Sequence, residues 1–249
     1  MKLAMWSGPR NISTAMMRAW ENRTDCVVSD EPLYAAWLTR SGADHPGREE
    51  IIAQGQTDWC RVIKKLTGPV PKGKAIWYQK HMCHHLLDDM GFAWTDALVN
   101  VFLIRHPEDV VASYIRARGT DQVSADDVGL PRQLELFEWI RDRQGRVPMV
   151  IDSSEFLTAP EAHLRALCER LSIDFSPRML NWPAGARQSD GIWAPYWYDA
   201  VRQSTGFSAP QSRPSSRQVR LTGQAARVAA QCLPLYQTLY CHRLRVDPV

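Results

Sequence analysis

Five short apolar runs punctuate the chain, at Leu3–Trp6, Cys26–Val28, Ala75–Tyr78, Val99–Ile104 and Pro148–Ile151. They are rich in β-branched or aromatic residues and lie between longer helical stretches, so each reads as a buried strand. Strand and helix in alternation predict βαβ units around a parallel sheet, hence an α/β three-layer sandwich. Helical spacing is clearest at Leu130, Leu134, Phe137 and Ile140 and at Leu164, Leu167, Cys168 and Leu171, where one face of each helix would cover the sheet. A last helix opens at Thr222 as N-cap and puts Val228, Cys232, Leu235 and Leu239 on one face, with Pro234 expected to kink or restart it. Glycine and proline break the pattern over residues 40–55 and 181–216, which read as irregular, substrate-facing loops or lids.

Composition narrows this picture. With 249 residues and 45% hydrophobic content the chain can bury a sizeable core, and residues 1–249 read as one domain. Thirty Lys and Arg against 27 Asp and Glu leave a net charge of +3, too small and too scattered to argue for nucleic acid or an anionic membrane. The six cysteines form no CxxC pair and no zinc spacing, which points to reduced thiols and a cytoplasmic protein. The apolar stretch Leu3–Trp6 is too short for a signal-peptide core or a membrane span. The expected partner is a small molecule, with a homodimer left open. Most of the ten Trp are expected in the core, while the dense run Trp193, Tyr196, Trp197 and Tyr198 suits an aromatic substrate wall.

Two places carry candidate chemistry for anions. After Leu3–Trp6 comes Ser7-Gly8-Pro9-Arg10-Asn11-Ile12-Ser13-Thr14 and then an apolar stretch, the order strand, tight polar loop, helix. A helix starting near Ser13 presents unpaired N–H groups and the positive end of its dipole, Ser13 and Thr14 add hydroxyls, and Arg10 adds a charged fork. The loop lacks the second glycine and the lysine of G-x-x-x-x-G-K-[ST], which disfavours ATP or GTP hydrolysis. The second place is the end of the run Val99–Ile104: Arg105 follows it, Pro107 suits the first helical position, Glu108 and Asp109 suit the first turn, and Ser113 lies farther along the same helix. Arg105 and Ser113 are thus placed to clamp one phosphate where open α/β sheets bind ligands.

At these residues the chain resembles the sulfotransferase superfamily. Pro9 to Thr14 is similar to that family's first loop, P-[KR]-S-G-T-[TS], with Asn11 and Ile12 in place of Ser-Gly. Arg105, Pro107, Asp109 and Ser113 match R-x-P-x-D-x-x-x-S at each fixed position. Glu31-Pro32-Leu33 and Glu155-Phe156-Leu157 with Pro160 are similar to further family elements in family order, so the likeness covers about residues 3–180. The whole chain also looks like a bacterial group of small sulfotransferase-like proteins, some named as branched-chain-aminotransferase-like, although no pyridoxal-phosphate lysine context is recognisable. The resemblance implies a P-loop NTPase-like sulfotransferase fold and 3′-phosphoadenosine-5′-phosphosulfate (PAPS) as sulfuryl donor. It places the 5′-phosphosulfate on Gly8 to Thr14, the 3′-phosphate on Arg105 and Ser113, and no metal. The family's third, glycine-rich basic loop is not recognisable; Arg213, Arg217 and Arg220 are the candidate substitutes.

Sulfuryl transfer needs positioning, charge stabilisation and a base. The run Ala75–Gln79 leads into Lys80-His81-Met82-Cys83-His84-His85, in the place where family members put Lys-Thr-His. Lys80 and Arg10 are the candidate leaving-group cations. The base stays open among His81, His84 and Glu31. A metal site at His81, His84 and His85 is disfavoured because no Asp or Glu lies within the cluster. Against this enzyme stand two alternatives, a P-loop-related phosphotransferase and a non-catalytic nucleotide-binding protein.

Overall fold

The computed structural model describes residues 1–208 and 220–246. Each apolar run marks a strand, two of them starting one residue early, at Ala75 and Pro148: β1 Lys2–Ser7, β2 Cys26–Asp30, β3 Ile76–Met82, β4 Val99–Ile104 and β5 Met149–Asp152. They form one sheet in the order β2-β3-β1-β4-β5, parallel at every pairing. The helices in chain order are α1 Ser13–Glu21, α2 Tyr34–Ser41, α3 Arg48–Gln54, α4 Trp59–Thr67, α5 Pro107–Arg118, α6 Ala125–Val128, α7 Leu130–Gln144, α8 Ser153–Thr158, α9 Pro160–Arg170, α10 Ala194–Trp197, α11 Asp199–Arg202 and α12 Gly223–Tyr240. No helix among the described residues is long and apolar enough to cross a membrane.

The sheet is buried on both faces, as parallel sheets must be. Leu3, Met5, Tyr78, Val101, Leu103 and Ile151 point to one face, where Met16, Met17 and Trp20 of α1 and Leu164, Leu167 and Cys168 of α9 meet them. The intervening residues Trp6, Trp77, Phe102, Ile104 and Val150 point to the other, under Val62 and Leu66 of α4, Val111 of α5, Phe137 and Ile140 of α7 and Leu239 of α12. These layers make the three-layer α/β sandwich expected from the alternation.

Topology then locates a crevice. The chain leaves β1 into α1 on one face of the sheet, whereas it leaves the adjacent β4 into α5 on the other. The two exits part at the carboxyl ends of β1 and β4, so the loops 8–12 and 105–106 face each other across a switch point, the usual place for a ligand in such sheets.

Three local expectations are refined. Residues 40–55 contain α3, whose first turn carries Glu49 and Glu50 and whose Ile51 is buried. Pro234 lies inside α12, which continues through it to Tyr240. Residues 181–208 are sewn down as a cover segment rather than left irregular. Arg18 of α1, 1% exposed, pairs with Asp190 at 2.6 Å, and Gly191 N–H donates to Asp30 Oδ2 at 3.0 Å. The remainder of the expected loop, 209–216, lies outside the described residues, as do Arg213 and Arg217.

Removing one member of a buried ion pair strands the other. Arg18→Met is therefore expected to cost about 3 kcal/mol or more, and the double variant Arg18→Met/Asp190→Leu to recover most of that loss. Urea denaturation of the two variants checks both expectations.

Candidate active site

The first loop begins where β1 ends. Gly8 is required there by close approach: a Cβ on it would stand 2.3 Å from the carbonyl oxygen of Val128, at the end of α6. Arg10 holds a left-handed backbone, φ 56°, which disfavours most side-chain-bearing residues. Its carbonyl accepts from Arg105 at 2.8 Å, one of that guanidinium's contacts, and its own Nε donates to Ser113 Oγ at 3.1 Å. Asn11 fastens the loop to β4 by donating to Leu103 O at 3.1 Å and accepts from Ile12 N–H at 2.9 Å. The structure thereby brings Arg10, Arg105 and Ser113 together, from two stretches about a hundred residues apart. No side chain caps α1, whose N-cap position is Ile12, so the first-turn N–H groups beside Ser13 and Thr14 remain directed at the crevice. Burial, and after it the charge of Arg116, lowers the pKa of Arg10, the sign of a cationic site that gains from an anion.

A second centre lies at the carboxyl ends of β2 and β3. Lys80 Nζ, 1% exposed, donates to Asp30 Oδ1 at 2.9 Å, to Glu31 Oε1 at 2.6 Å and to Tyr198 OH at 2.5 Å. An ammonium has three protons, and all three are engaged within the protein. Burial acts to lower the pKa of Lys80, but Asp30 and Glu31 outweigh it and raise it, so the lysine is held charged. Glu31 has the opposite balance: burial raises its carboxyl pKa, Lys80 opposes, and Asp30 adds to the rise. Two carboxylates around one ammonium leave one negative charge in surplus, and the Glu31 side chain, 11% exposed against 2% for Asp30, is the more accessible.

His81 follows Lys80 in the same strand and therefore points to the opposite face. It is 1% exposed, stacked on Trp6 at 4.3 Å and bonded to Gln79 Oε1 at 3.2 Å, and burial pushes its pKa down to about 3. Lys80 and His81 are thus not brought together. His84 and His85 lie in a 3₁₀ turn, Cys83–His85, within an aromatic box with Tyr34, Trp37, His45 and Trp193. Burial lowers the pKa of His84 to about 3 and that of His45 to about 4, keeping both imidazoles neutral. His84 Nδ1 is buried without a hydrogen-bond partner among the described residues and lies 3.6 Å from where a Gly129 side chain would begin, itself 3.5 Å from Gly8 Cα. That imidazole therefore walls the mouth of the first loop. No group of three His, Cys, Asp or Glu among the described residues is placed to hold a metal ion. Arg220 is exposed.

Asp30, Tyr198 and Arg116 escaped the reading of the sequence. Tyr198 belonged to the expected aromatic wall, yet it is 3% exposed and works through its hydroxyl, while Tyr196, 45% exposed, presents its ring against Gly47. A signal for Asp30 was available: an acid at the end of a strand, next to Glu31, opposite a lysine at the same level of the next strand. A cavity of about 630 Å³ opens at residues 42–50, lined among others by Asp44, His45 and Arg48.

A family model described as a sulfotransferase domain matches residues 1–241. Two Arabidopsis thaliana proteins, branched-chain-amino-acid aminotransferase-like proteins 2 and 1, are 35% and 33% identical over 237 residues, 95% of this chain. The chain spans 41% of their length. Among solved structures, the sulfotransferase domain of the Synechococcus PCC 7002 olefin synthase superposes with a TM-score of 0.58 at 13% identity, covering 98% of this chain and 95% of that one. The sulfotransferase domain from the curacin biosynthetic pathway gives a TM-score of 0.52 at 14% identity, covering 92% and 96%. These two share the fold.

The contact of Gly8 with Val128 is backbone against a would-be side chain, so neither atom can swing away. Gly8→Ala is expected to lower stability by about 1–3 kcal/mol, measured by urea denaturation, and to weaken binding of inorganic phosphate or sulfate at the loop.

Proposed function

Because the chain belongs to the sulfotransferase domain family, we propose that it transfers a sulfuryl group from PAPS to a hydroxyl or amine of a small molecule, with arginines and a helix N-terminus meeting the charge in place of a metal ion. The observation that carries this reading is the bond from Arg10 Nε to Ser113 Oγ, which joins the two anion-binding loops into one site. The residues present fit such a donor. Gly8 keeps the loop open to an anion at close range, α1 offers uncapped N–H groups, and Arg10 with Arg105 supplies fixed positive charge.

When bound, PAPS supplies an activated sulfuryl group on a phosphate leaving group. Gly8 to Thr14 would hold the 5′ end, and Arg105 with Ser113 the 3′-phosphate. Arg10, at the junction of both, stabilises the charge that gathers on the phosphate as its bond to sulfur breaks. The acceptor oxygen or nitrogen forms the new bond to sulfur and gives its proton to a base. Glu31 suits that role: it is partly exposed, its carboxyl pKa is raised, and Lys80 fixes one of its oxygens. Lys80, with all three protons engaged, acts through Glu31 rather than on the leaving group. His84, neutral and with an open Nδ1, is placed to hydrogen-bond a group at the loop mouth. The acceptor enters from the side of residues 42–50 and the cover segment.

Ligands that bind only the folded state raise its melting temperature. Millimolar 3′-phosphoadenosine-5′-phosphate (PAP) is expected to raise Tm for the native protein and much less for Arg105→Ala or Ser113→Ala. Stabilisation by ATP or GTP without any by PAP would instead favour a phosphotransferase. With labelled PAPS and an acceptor found by metabolite screening, Glu31→Gln is expected to keep the PAP-induced shift and to lose transfer by about 10²–10⁴-fold. Transfer undiminished in Glu31→Gln would remove Glu31 from the role of base.

A further inference from the structure

The hydroxyl of Tyr198 uses its whole hydrogen-bonding capacity on the charged centre. A phenol has one proton and two lone pairs. Tyr198 donates to the Asp30 carboxylate, at 2.8 and 2.7 Å to its two oxygens, and accepts from Lys80 Nζ at 2.5 Å and from Trp193 Nε1 at 3.1 Å. Asp30 is correspondingly occupied, by Lys80, by Tyr198 and by the N–H of Gly191. Tyr198 and Gly191 both belong to the cover segment, so this segment anchors Asp30, while Glu31 is held chiefly by Lys80 at 2.6 Å and, more weakly, by the same phenol. The neighbouring acids thereby divide: Asp30 anchors, and Glu31 keeps the surplus charge.

We propose that Tyr198 is a positioning residue for Glu31: by taking the third proton of Lys80 and binding Asp30, it holds the ammonium between the two acids and leaves Glu31 the one able to accept a proton. This inference rests on the proposed transfer reaction for its kinetic consequence but not for its physical one. The charged and titratable groups facing Glu31 are Lys80 on β3, Asp30 on β2, Tyr198 on the cover segment and Tyr34 on α2. Burial raises the pKa of Tyr198 well above its ordinary value, and Asp30 and Glu31 add to the rise, so the phenol stays neutral while Glu31 titrates.

Tyr198→Phe keeps the ring over Lys80, whose Nζ lies 4.8 Å from its centroid, and deletes only the hydroxyl. Asp30 then loses a donor and competes harder for the ammonium, which weakens the bond from Lys80 to Glu31, and the phenol's own support of the Glu31 carboxylate is lost; both raise the proton affinity of Glu31. A base must be deprotonated to act, so activity rises as pH climbs through its pKa. A raised pKa therefore moves the acidic limb of the kcat/KM profile upward, expected here at about half a unit or more. Trp193→Phe leaves Lys80 as the remaining donor to the phenol among the described residues, draws the ammonium toward Tyr198, and is expected to move the limb the same way by less.

The test combines this pH profile with carboxyl ¹³C NMR titration of Glu31, its signal assigned by its loss in Glu31→Gln. An upward shift of the Glu31 titration in Tyr198→Phe supports the inference even where no acceptor is known, and Trp193→Phe supplies the same readout if Tyr198→Phe fails to fold. A Glu31 titration unmoved in the folded variants, or a pH profile that only scales down, overturns it. Failure of the native protein to bind PAP or to transfer sulfuryl sinks the proposed function instead, and leaves the titration result standing by itself.

Discussion

A sheet covered on both faces makes an unpartnered polar side chain inside a strand costly, and its pleat decides which partner each one meets; among the described residues the Tyr78 hydroxyl is the strand group left without one. Nearly every polar contact at the centre of this molecule follows from that constraint. On one face Gln79 donates to Leu66 O and accepts from His81, and Asn100 accepts from Trp6 Nε1 while donating to Thr95 O. On the other, Lys80 stands level with Asp30 of the neighbouring strand and is enclosed with it. The buried ammonium is tolerable because two carboxylates and a phenol surround it, and each of those is itself held in place.

The same sheet supplies the second half of the site. The reversal of crossover direction between β1 and β4 opens a crevice at their carboxyl ends, and the chain fills its rim with arginine and hydroxyl groups. The two centres share α1 and its surroundings. Its N-terminus opens from the loop 8–12, and its Arg18 anchors the cover segment that reaches back to Asp30 through Gly191 and Tyr198. Charge attraction at the loops and proton affinity at Glu31 are therefore set by elements that brace one another.

Strands and loops were legible in the sequence because each is encoded locally. The apolar runs found all five strands, the polar loop after β1 fell where α1 begins, and Pro107 opens α5 as its position suggested. The meaning of Lys80 and His81 was not legible by the same means. The sequence reading took the strand as far as Gln79, whereas β3 runs to Met82, and a strand turns adjacent side chains to opposite faces. Asp30, Arg18 and Tyr198 owe their roles to contacts across much of the chain, and spacing carries no trace of such pairings. Arg217, a candidate third contact for the donor, lies outside the described residues.

The cover segment has fixed points and free ones. Asp190, Gly191 and Tyr198 are committed to buried partners, while Pro195 and Tyr196 between them face outward, Tyr196 against Gly47 at the rim of the 42–50 cavity. On the proposed reading, in which the acceptor enters beside this rim, exchange of the outward residues together with their counterparts at residues 42–50 would change which molecule is admitted. The proposed donor loops and the Asp30–Glu31 pair would keep their residues, and a new specificity would need no rebuilding of the chemistry proposed beneath it.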